Sequence, residues 1–292
     1  MLHSRVAFAL AAALMPAGCG GQNTMLSPAA FDGASNFARP SGADPQAKGK
    51  IKHVIIIVQE NRSLNNLFMG YPGATTTKYG YDSRGKKVAL KPIALETKWD
   101  LAHNAAGVIA ACNGDGSIPG TNCRMNGFDK DKVVLCGGPS QPKCPKDHPQ
   151  YAYVPYSESE PYFDMAKNYV LADEMYSSDF DASSFVSHQY IIAAQAKSSI
   201  DYPIVPLQWG CPGGPHDTIT MVSKNRDFPH GKEVACWDVP TLGDELDGAG
   251  LPWAFYTSPV NGDGGVWSAY QAIKHIYQGP DWTKDVITPQ TQ

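Results

Sequence analysis

The sequence predicts an α/β fold in which a largely parallel sheet is flanked by helices. Short β-branched or aromatic runs alternate with segments of helical periodicity, which is the order that such sheets produce. The clearest strand is 53–58, HVIIIV, whose unbroken apolar run is typical of a strand buried on both faces. Residues 285–292 follow helical segments without a closing strand, so we expect the sheet to be incomplete at the C-terminus.

The other elements follow from periodicity and from capping residues. The helical segments are 62–68, 162–168, 185–196, a helix capped by Thr241 that runs through Leu246, and 267–277, and the further strands are 169–172 and 251–256. Residues 71–150 show little periodicity and contain four cysteines. We expect this region to be a disulfide-pinned loop region over the sheet edge, where active-site walls are commonly built.

The N-terminus predicts export. Residues 1–19 combine a cationic start, a short apolar stretch and small residues before Cys19, which is typical of a signal peptide. Ala17-Gly18-Cys19 resembles a lipoprotein cleavage box, which would give Cys19 a lipid anchor to the membrane, although Pro16 stands where such a box usually has Leu. Plain cleavage remains the alternative. We therefore expect a periplasmic or cell-envelope lipoprotein, or a secreted protein.

A polar segment, 20–50, broken by Pro and Gly predicts a flexible linker between the leader and a domain at 51–292. The formal net charge of −4 is mild, so the sequence gives no indication of a nucleic-acid partner.

Six cysteines follow Cys19, and an even number in an exported protein predicts disulfides. Proximity along the chain favours the pairs Cys112–Cys123, Cys136–Cys144 and Cys211–Cys236. A zinc site is the alternative, and it is weaker because none of these cysteines forms a C-x-x-C pair.

Polar residues follow the strand at 53–58 without a break. Ligands gather where the strands of an open α/β sheet end, and the Glu60 carboxylate and the Asn61 carboxamide are oxygen ligands suited to a hard divalent cation. Arg62 is suited to hold a phosphate by a bidentate contact, or to brace Glu60 or the sheet edge. The simpler interpretation is that Asn61 and Ser63 cap the next helix.

Ser184 is the best candidate nucleophile. It stands just before an apolar helix, where backbone N–H groups and the helix dipole bind phosphate and stabilise an alkoxide. A cap without chemistry is the alternative for both Ser183 and Ser184. His188, four residues on, lies one helical turn away and either reaches the same pocket or packs the helix. His103, in a loop, is by itself as well explained as a structural residue.

The segment 59–68, QENRSLNNLF, resembles the QENRSFDNLFG signature of the bacterial phosphoesterase family of acid phosphatases and phospholipases C. Residues 172–196 are similar to the family's second block, with Ser184 at the nucleophile position, although Ser183-Ser184 stands where many members have Pro-Ser or Pro-Thr. Residues 100–103 resemble its D-L-x-H block, followed by M-N-G-F at 125–128. The resemblance covers about residues 50–292.

The resemblance implies an alkaline-phosphatase-like fold and hydrolysis of a phosphate monoester or a phospholipid, as in an acid phosphatase or a phospholipase C. It implies that Ser184 attacks phosphorus, that His103 lines the phosphate pocket, and that Glu60 and Asn61 hold a divalent metal ion of unknown identity. Family members continue with an aspartate pair and further histidines that complete the metal site. Because this sequence lacks them, we expect a truncated chain that holds the ion poorly.

Two alternatives remain. A catalytically inactive, truncated envelope protein would keep a phosphate- or lipid-binding surface. A serine esterase is disfavoured because the sequence contains no G-x-S-x-G elbow.

Overall fold

A computed structural model describes residues 49–181, 183–203, 209–227, 229–258 and 265–288. The predicted signal peptide, Cys19 and most of the predicted linker lie outside the described residues. The chain divides into two compact units, residues 1–58 and 59–292. Over the described residues, no helix is long and apolar enough to cross a membrane.

The described part of the first unit, residues 49–58, contains neither helix nor strand. The prediction of a strand at 53–58 is therefore wrong. Its side chains face solvent, with Ile55 82% and Ile57 86% exposed. A β-branched run becomes a strand only when a neighbour pairs with its backbone, and no described residue pairs with this one.

The second unit is a mixed α/β structure. Its described helices are α1 (Leu64–Phe68), α2 (Ala105–Cys112), α3 (Tyr156–Asn168), α4 (Ser184–Ala193), α5 (Leu242–Gly248), α6 (Lys274–Gln278) and α7 (Asp281–Lys284). Three 3₁₀ turns cover Phe128–Lys130, Gly265–Trp267 and Ala269–Ala272.

The described strands are short: β1 (Tyr79–Tyr81), β2 (Lys87–Ala89), β3 (Lys91–Pro92), β4 (Asp100–Leu101), β5 (Val133–Val134), β6 (Ala152–Tyr153), β7 (Ser199–Ile200), β8 (Thr218–Met221), β9 (Gly231–Val234), β10 (Phe255–Tyr256) and β11 (Val286–Ile287). They form the antiparallel pairs β1–β2 and β4–β5, the parallel pairs β3–β6 and β10–β11, and the antiparallel sheet β7–β8–β9.

The described residues thus form small sheets, and the expected large parallel sheet is not found among them. The predicted strand 169–172 is extended but unpaired, and Val170 is 90% exposed. The predicted strand 251–256 pairs only at β10, which lies parallel to β11. The prediction that no strand follows the helical segments in 285–292 is wrong, because Val286 and Ile287 form β11. Apolar sequence marks segments able to join a sheet, but the extent of pairing depends on neighbours distant in the chain.

Helix α4 lies at the centre of the main core. Its buried residues are Phe185, Val186, Gln189 and Ile192, whose spacing forms one helical stripe. The Phe185 ring packs edge-on against Trp209, with the ring centroids 5.2 Å apart. Gln189 is buried as well, and its Nε2 donates to the Ala269 carbonyl at 2.9 Å. This bond fixes the neighbouring 3₁₀ turn against α4.

The predicted helices form with shifted ends. Helix α5 begins with a capping box, in which the Thr241 hydroxyl accepts from the Asp244 N–H and the Asp244 carboxylate accepts from the Thr241 N–H. The predicted helix 267–277 is broken, because the chain passes through the 3₁₀ turn Ala269–Ala272 and an extended Ile273 before α6 begins.

The three predicted disulfides are confirmed. Cys112 pairs with Cys123, Cys136 with Cys144 and Cys211 with Cys236, over sequence separations of 11, 8 and 25 residues. Three disulfides are consistent with an exported protein.

His275 on α6 lies between two carboxylates. Its Nδ1 is 2.5 Å from Asp238 Oδ1, and its Nε2 is 2.9 Å from Asp244 Oδ1. Burial acts to lower the pKa of His275, but the two carboxylates outweigh it and raise that pKa above the ordinary value of 6.5. The imidazolium form therefore links α5, α6 and the segment after β9.

A His275→Gln variant is expected to be less stable than the wild type below pH 6.5, with the difference shrinking as pH rises through the raised pKa of His275. A group whose pKa rises on folding contributes stability that is fully present below its unfolded pKa and is lost above its folded pKa. The side chain is 35% exposed, so solvent screening keeps the effect small. Urea midpoints across pH measure it, with exposed His216→Gln as control. A pH-independent difference would contradict the prediction.

Candidate functional site

Glu60 is the centre of the candidate site. It lies in an irregular segment before α1, and its carboxylate accepts three hydrogen bonds from residues far along the chain. The Ser184 hydroxyl donates to Oε2 at 3.0 Å, and the Trp267 indole N–H donates to the same oxygen at 3.0 Å. His188 Nε2 lies 2.6 Å from the other oxygen, Oε1. The structure thus brings together three of the residues that the sequence singled out.

Helix α4 supplies both Ser184 and His188. Ser184 is the first residue of the helix, and His188 follows one turn later on the same face. The backbone N–H of Ser184 donates to the Tyr202 hydroxyl at 3.3 Å. The predicted placement of Ser184 at the N-terminus of a helix is therefore confirmed.

The charges of the site favour an ionised Glu60. Burial alone would raise the pKa of Glu60, but the hydrogen bond and charge of His188, with the hydrogen bonds from Ser184 and Trp267, hold it below the ordinary value of 4.5. His188 Nδ1 lies 3.2 Å from the Trp267 carbonyl oxygen. Both ring nitrogens of His188 therefore lie within hydrogen-bonding distance of an oxygen atom.

Ser183 and Ser184 occupy different environments. Ser183 is completely buried, and its hydroxyl donates to Asp181 Oδ2 at 3.0 Å instead of capping the helix. Asp181 Oδ1 accepts the Ser183 N–H at 3.1 Å, and Asp181 Oδ2 also accepts the Asp201 N–H at 2.6 Å. Asp201 in turn accepts the Ala105 N–H at 2.9 Å. This buried network joins the start of α4 to the start of α2.

Asp181 gives the protein a pH-dependent stability. Burial, followed by the charge of Asp201, raises the pKa of Asp181 from 3.8 to about 6. The unfolded chain loses this proton near pH 3.8 and the folded chain near 6, so stability falls as pH rises between these values and stays reduced above them. The full decrease is roughly 3 kcal/mol.

An Asp181→Asn variant is expected to lose this decrease, because an amide does not ionise. Denaturant unfolding of both proteins between pH 4 and 6 measures it, and the relevant quantity is the slope of stability against pH, since the substitution also changes the hydrogen bonds. Equal slopes in the two proteins would contradict the prediction.

Asn61 and His103 lie around a different carboxylate. Asn61 Nδ2 donates to Asp100 Oδ2 at 3.3 Å, and His103 Nε2 lies 3.1 Å from the same oxygen. The backbone of Asn61 has φ +70°, in the left-handed region. Asp100 therefore connects His103 to the residue beside Glu60. The role of His103 in binding phosphate stays a prediction.

Arg62 makes its contacts within the protein. Its guanidinium donates to the carbonyl oxygens of Ala94, at 3.2 Å, and Leu95, and to Asn66 Oδ1 at 3.3 Å. These contacts correspond to the bracing alternative. Its predicted contact with substrate stays a prediction.

The described residues do not by themselves form a metal site. No three His, Cys, Asp or Glu side chains among them are placed to share an ion. The Glu60 oxygens face three hydrogen donors, and Asn61 turns its amide nitrogen toward Asp100. A cation at Glu60 would have to replace these donors, so the divalent ion stays a prediction and no chemical step below depends on it.

Sequence reasoning missed four residues that organise this region: Asp100, Asp181, Tyr202 and Trp267. The sequence contained a signal for Asp181, because an Asp two residues before a helix cap often accepts hydrogen bonds from backbone N–H groups. Trp267 and Tyr202 carry no local signal. Trp267 reaches Glu60 across 207 residues, and this contact depends only on the tertiary fold.

The Ser184 hydroxyl lies within hydrogen-bonding distance of the Glu60 carboxylate, and His188 contacts the other oxygen of that carboxylate. A hydroxyl beside a possible base that a third group orients is typical of hydrolases that act through a serine. A family model described as the Phosphoesterase family matches residues 51–286, so the chain belongs to this family. Family membership supports a hydrolase that acts on phosphate esters. Comparison with curated proteins and with solved structures found no match.

Proposed function

We propose that the protein hydrolyses phosphate esters through a phosphoserine formed at Ser184. The observation that carries the proposal is the 3.0 Å hydrogen bond from the Ser184 hydroxyl to Glu60, in a chain of the Phosphoesterase family. Glu60 is held in its ionised form by His188, which makes it available to accept a proton. The start of α4 adds a positive dipole end beside the hydroxyl.

In the first step, Ser184 Oγ attacks phosphorus while its proton passes to Glu60. The bond from phosphorus to the leaving oxygen breaks, and that oxygen takes a proton from water. The charge on the phosphoryl group is stabilised by the N-terminus of α4, where Ser184 is the first residue, with His188 one helical turn further along.

In the second step, water cleaves the phosphoserine. Glu60 first returns its proton to solvent and then accepts one from the attacking water, whose oxygen bonds to phosphorus. The bond from phosphorus to Ser184 Oγ breaks, and Oγ takes the proton from Glu60, so that Ser184 is again a hydroxyl and Glu60 is again ionised. Inorganic phosphate is the product, and the free site is restored.

The proposal also covers the substrate, the cofactor and the location of the protein. We propose a phosphate monoester or a phospholipid as substrate, a divalent ion as cofactor, and export with Cys19 as a lipid anchor. The three disulfides support export.

The test is to mix the protein with p-nitrophenyl phosphate, quench in acid, and look by mass spectrometry for a phosphoryl group on the peptide that contains Ser184. The proposal expects the modified peptide and release of phosphate. Hydrolysis without a modified Ser184 would remove the phosphoserine step. Parallel assays with phosphatidylcholine compare the two substrate classes, and assays after chelation and after return of Mg²⁺, Ca²⁺ or Zn²⁺ test the ion.

A further inference from the structure

Trp267 contacts both members of the Glu60–His188 pair. Its indole N–H donates to Glu60 Oε2 at 3.0 Å, and its carbonyl oxygen lies 3.2 Å from His188 Nδ1. One residue therefore fixes the pair from two sides, through its side chain and through its backbone. No sequence motif marks it.

The indole shares an oxygen with the candidate nucleophile. Ser184 and Trp267 both donate to Glu60 Oε2, whereas His188 takes Oε1. A carboxylate with two donors on one oxygen and a third on the other has little freedom to rotate. The Ser184 hydroxyl is thereby directed at an oxygen whose position Trp267 fixes.

The neighbouring backbone holds Trp267 in register with α4. The 3₁₀ turn Ala269–Ala272 begins two residues later and is buried in the main core. The Ala269 carbonyl accepts from Gln189 on α4, and Ser268 is completely buried. Trp267 itself is 39% exposed. The buried residues that follow Trp267 thus fix the position of this partly exposed residue at the site.

We propose that Trp267 is a positioning residue for this site, which holds Glu60 oriented toward the Ser184 hydroxyl and His188 oriented toward Glu60. The inference rests on the proposed function for its catalytic consequence, whereas the contact itself is measurable without catalysis. The hydrogen bond from Trp267 also contributes to the lowered pKa of Glu60.

The contact can be measured by NMR of the indole N–H groups. The chain has six tryptophans, and Trp267→Phe identifies the signal of Trp267 by its loss. That signal is expected to shift as Glu60 takes up a proton in acid, and the shift should disappear in Glu60→Gln. Trp253 provides the matched control, because its Nε1 donates to Asp247 Oδ1 at 3.2 Å, away from Glu60. If the Trp267 signal shifted in acid to the same extent in Glu60→Gln as in the wild type, the proposal would be overturned.

The catalytic consequence is measured with Trp267→Phe, which keeps the aromatic ring and the carbonyl but removes the N–H. We expect kcat/KM for p-nitrophenyl phosphate to fall by about 10- to 150-fold, the size of one lost hydrogen bond to a charged group. The acid limb of the pH profile should move to higher pH, with KM little changed, because Glu60 loses a donor that favours its ionised form. Trp253→Phe should leave the limb in place.

The possible failures are distinguishable. A wild-type protein without phosphate-ester hydrolysis would refute the proposed function, and the indole signal would still decide the contact. An active Trp267→Phe variant with the wild-type rate and acid limb would overturn the positioning role and leave the proposed function standing.

Discussion

Replacing Ser184 with alanine is expected to abolish hydrolysis of p-nitrophenyl phosphate, with a loss of at least about a thousandfold in kcat. The variant lacks the oxygen that would attack phosphorus, while the rest of the site stays in place. Circular dichroism should remain that of the wild type, because the first residue of α4 is only partly buried. Initial rates at saturating substrate measure the effect.

The neighbouring Ser183→Ala variant is the matched control. Ser183 is buried and bonded to Asp181, so its loss should lower the thermal midpoint while kcat stays within about tenfold of the wild type. If Ser183→Ala removed activity and Ser184→Ala retained it, the assignment of the nucleophile would be reversed.

Replacing Glu60 with glutamine is expected to lower kcat by about 10²- to 10⁴-fold, because the site loses its proton acceptor. The wild-type rate should persist in acid to below pH 4.5, since the pKa of Glu60 is held under that value, and should fall once Glu60 is protonated. The glutamine variant should lack this acid limb. A pH–rate profile of kcat/KM for both proteins measures the difference.

Glu158→Gln is the control for removal of a carboxylate. Glu158 lies on α3 and accepts the Leu95 N–H at 2.8 Å, outside the Glu60 cluster. The Glu158→Gln variant should keep the rate of the wild type and the acid limb of its pH–rate profile. Near-normal turnover in Glu60→Gln would show that Glu60 is only a structural acceptor.

The sequence predicted local structure better than long-range pairing. The cap at Thr241 and the start of α4 were correct because capping depends on residues within one turn. The cysteine pairs were correct because each closes a short loop. The strand predicted at 53–58 was wrong. An apolar β-branched run indicates a preference for extended backbone, but it does not determine which neighbouring strand pairs with the segment.

The same distinction holds for the candidate site. Glu60, Ser184 and His188 were predicted from their motifs, and the structure places Ser184 and His188 each in contact with Glu60. Asp100 and Trp267 were not, since Asp100 was noted only as the first residue of the D-L-x-H block, without a role, and Trp267 is distant along the chain. Sequence motifs identify the candidate catalytic residues, whereas the residues that orient them are identified only from the three-dimensional structure.

The left-handed backbone at Asn61 restricts which amino acids this position accepts, independently of any ligand. Asparagine, aspartate and glycine tolerate φ +70°, whereas an alanine there carries a backbone cost of about 1–2 kcal/mol. An Asn61→Ala substitution would therefore have two effects at once: it would remove the amide group, and it would strain the backbone of the segment that contains Glu60. Glycine keeps the backbone and removes the amide, and aspartate keeps both the shape and the backbone, so these two residues separate the chemical role of Asn61 from its conformational one.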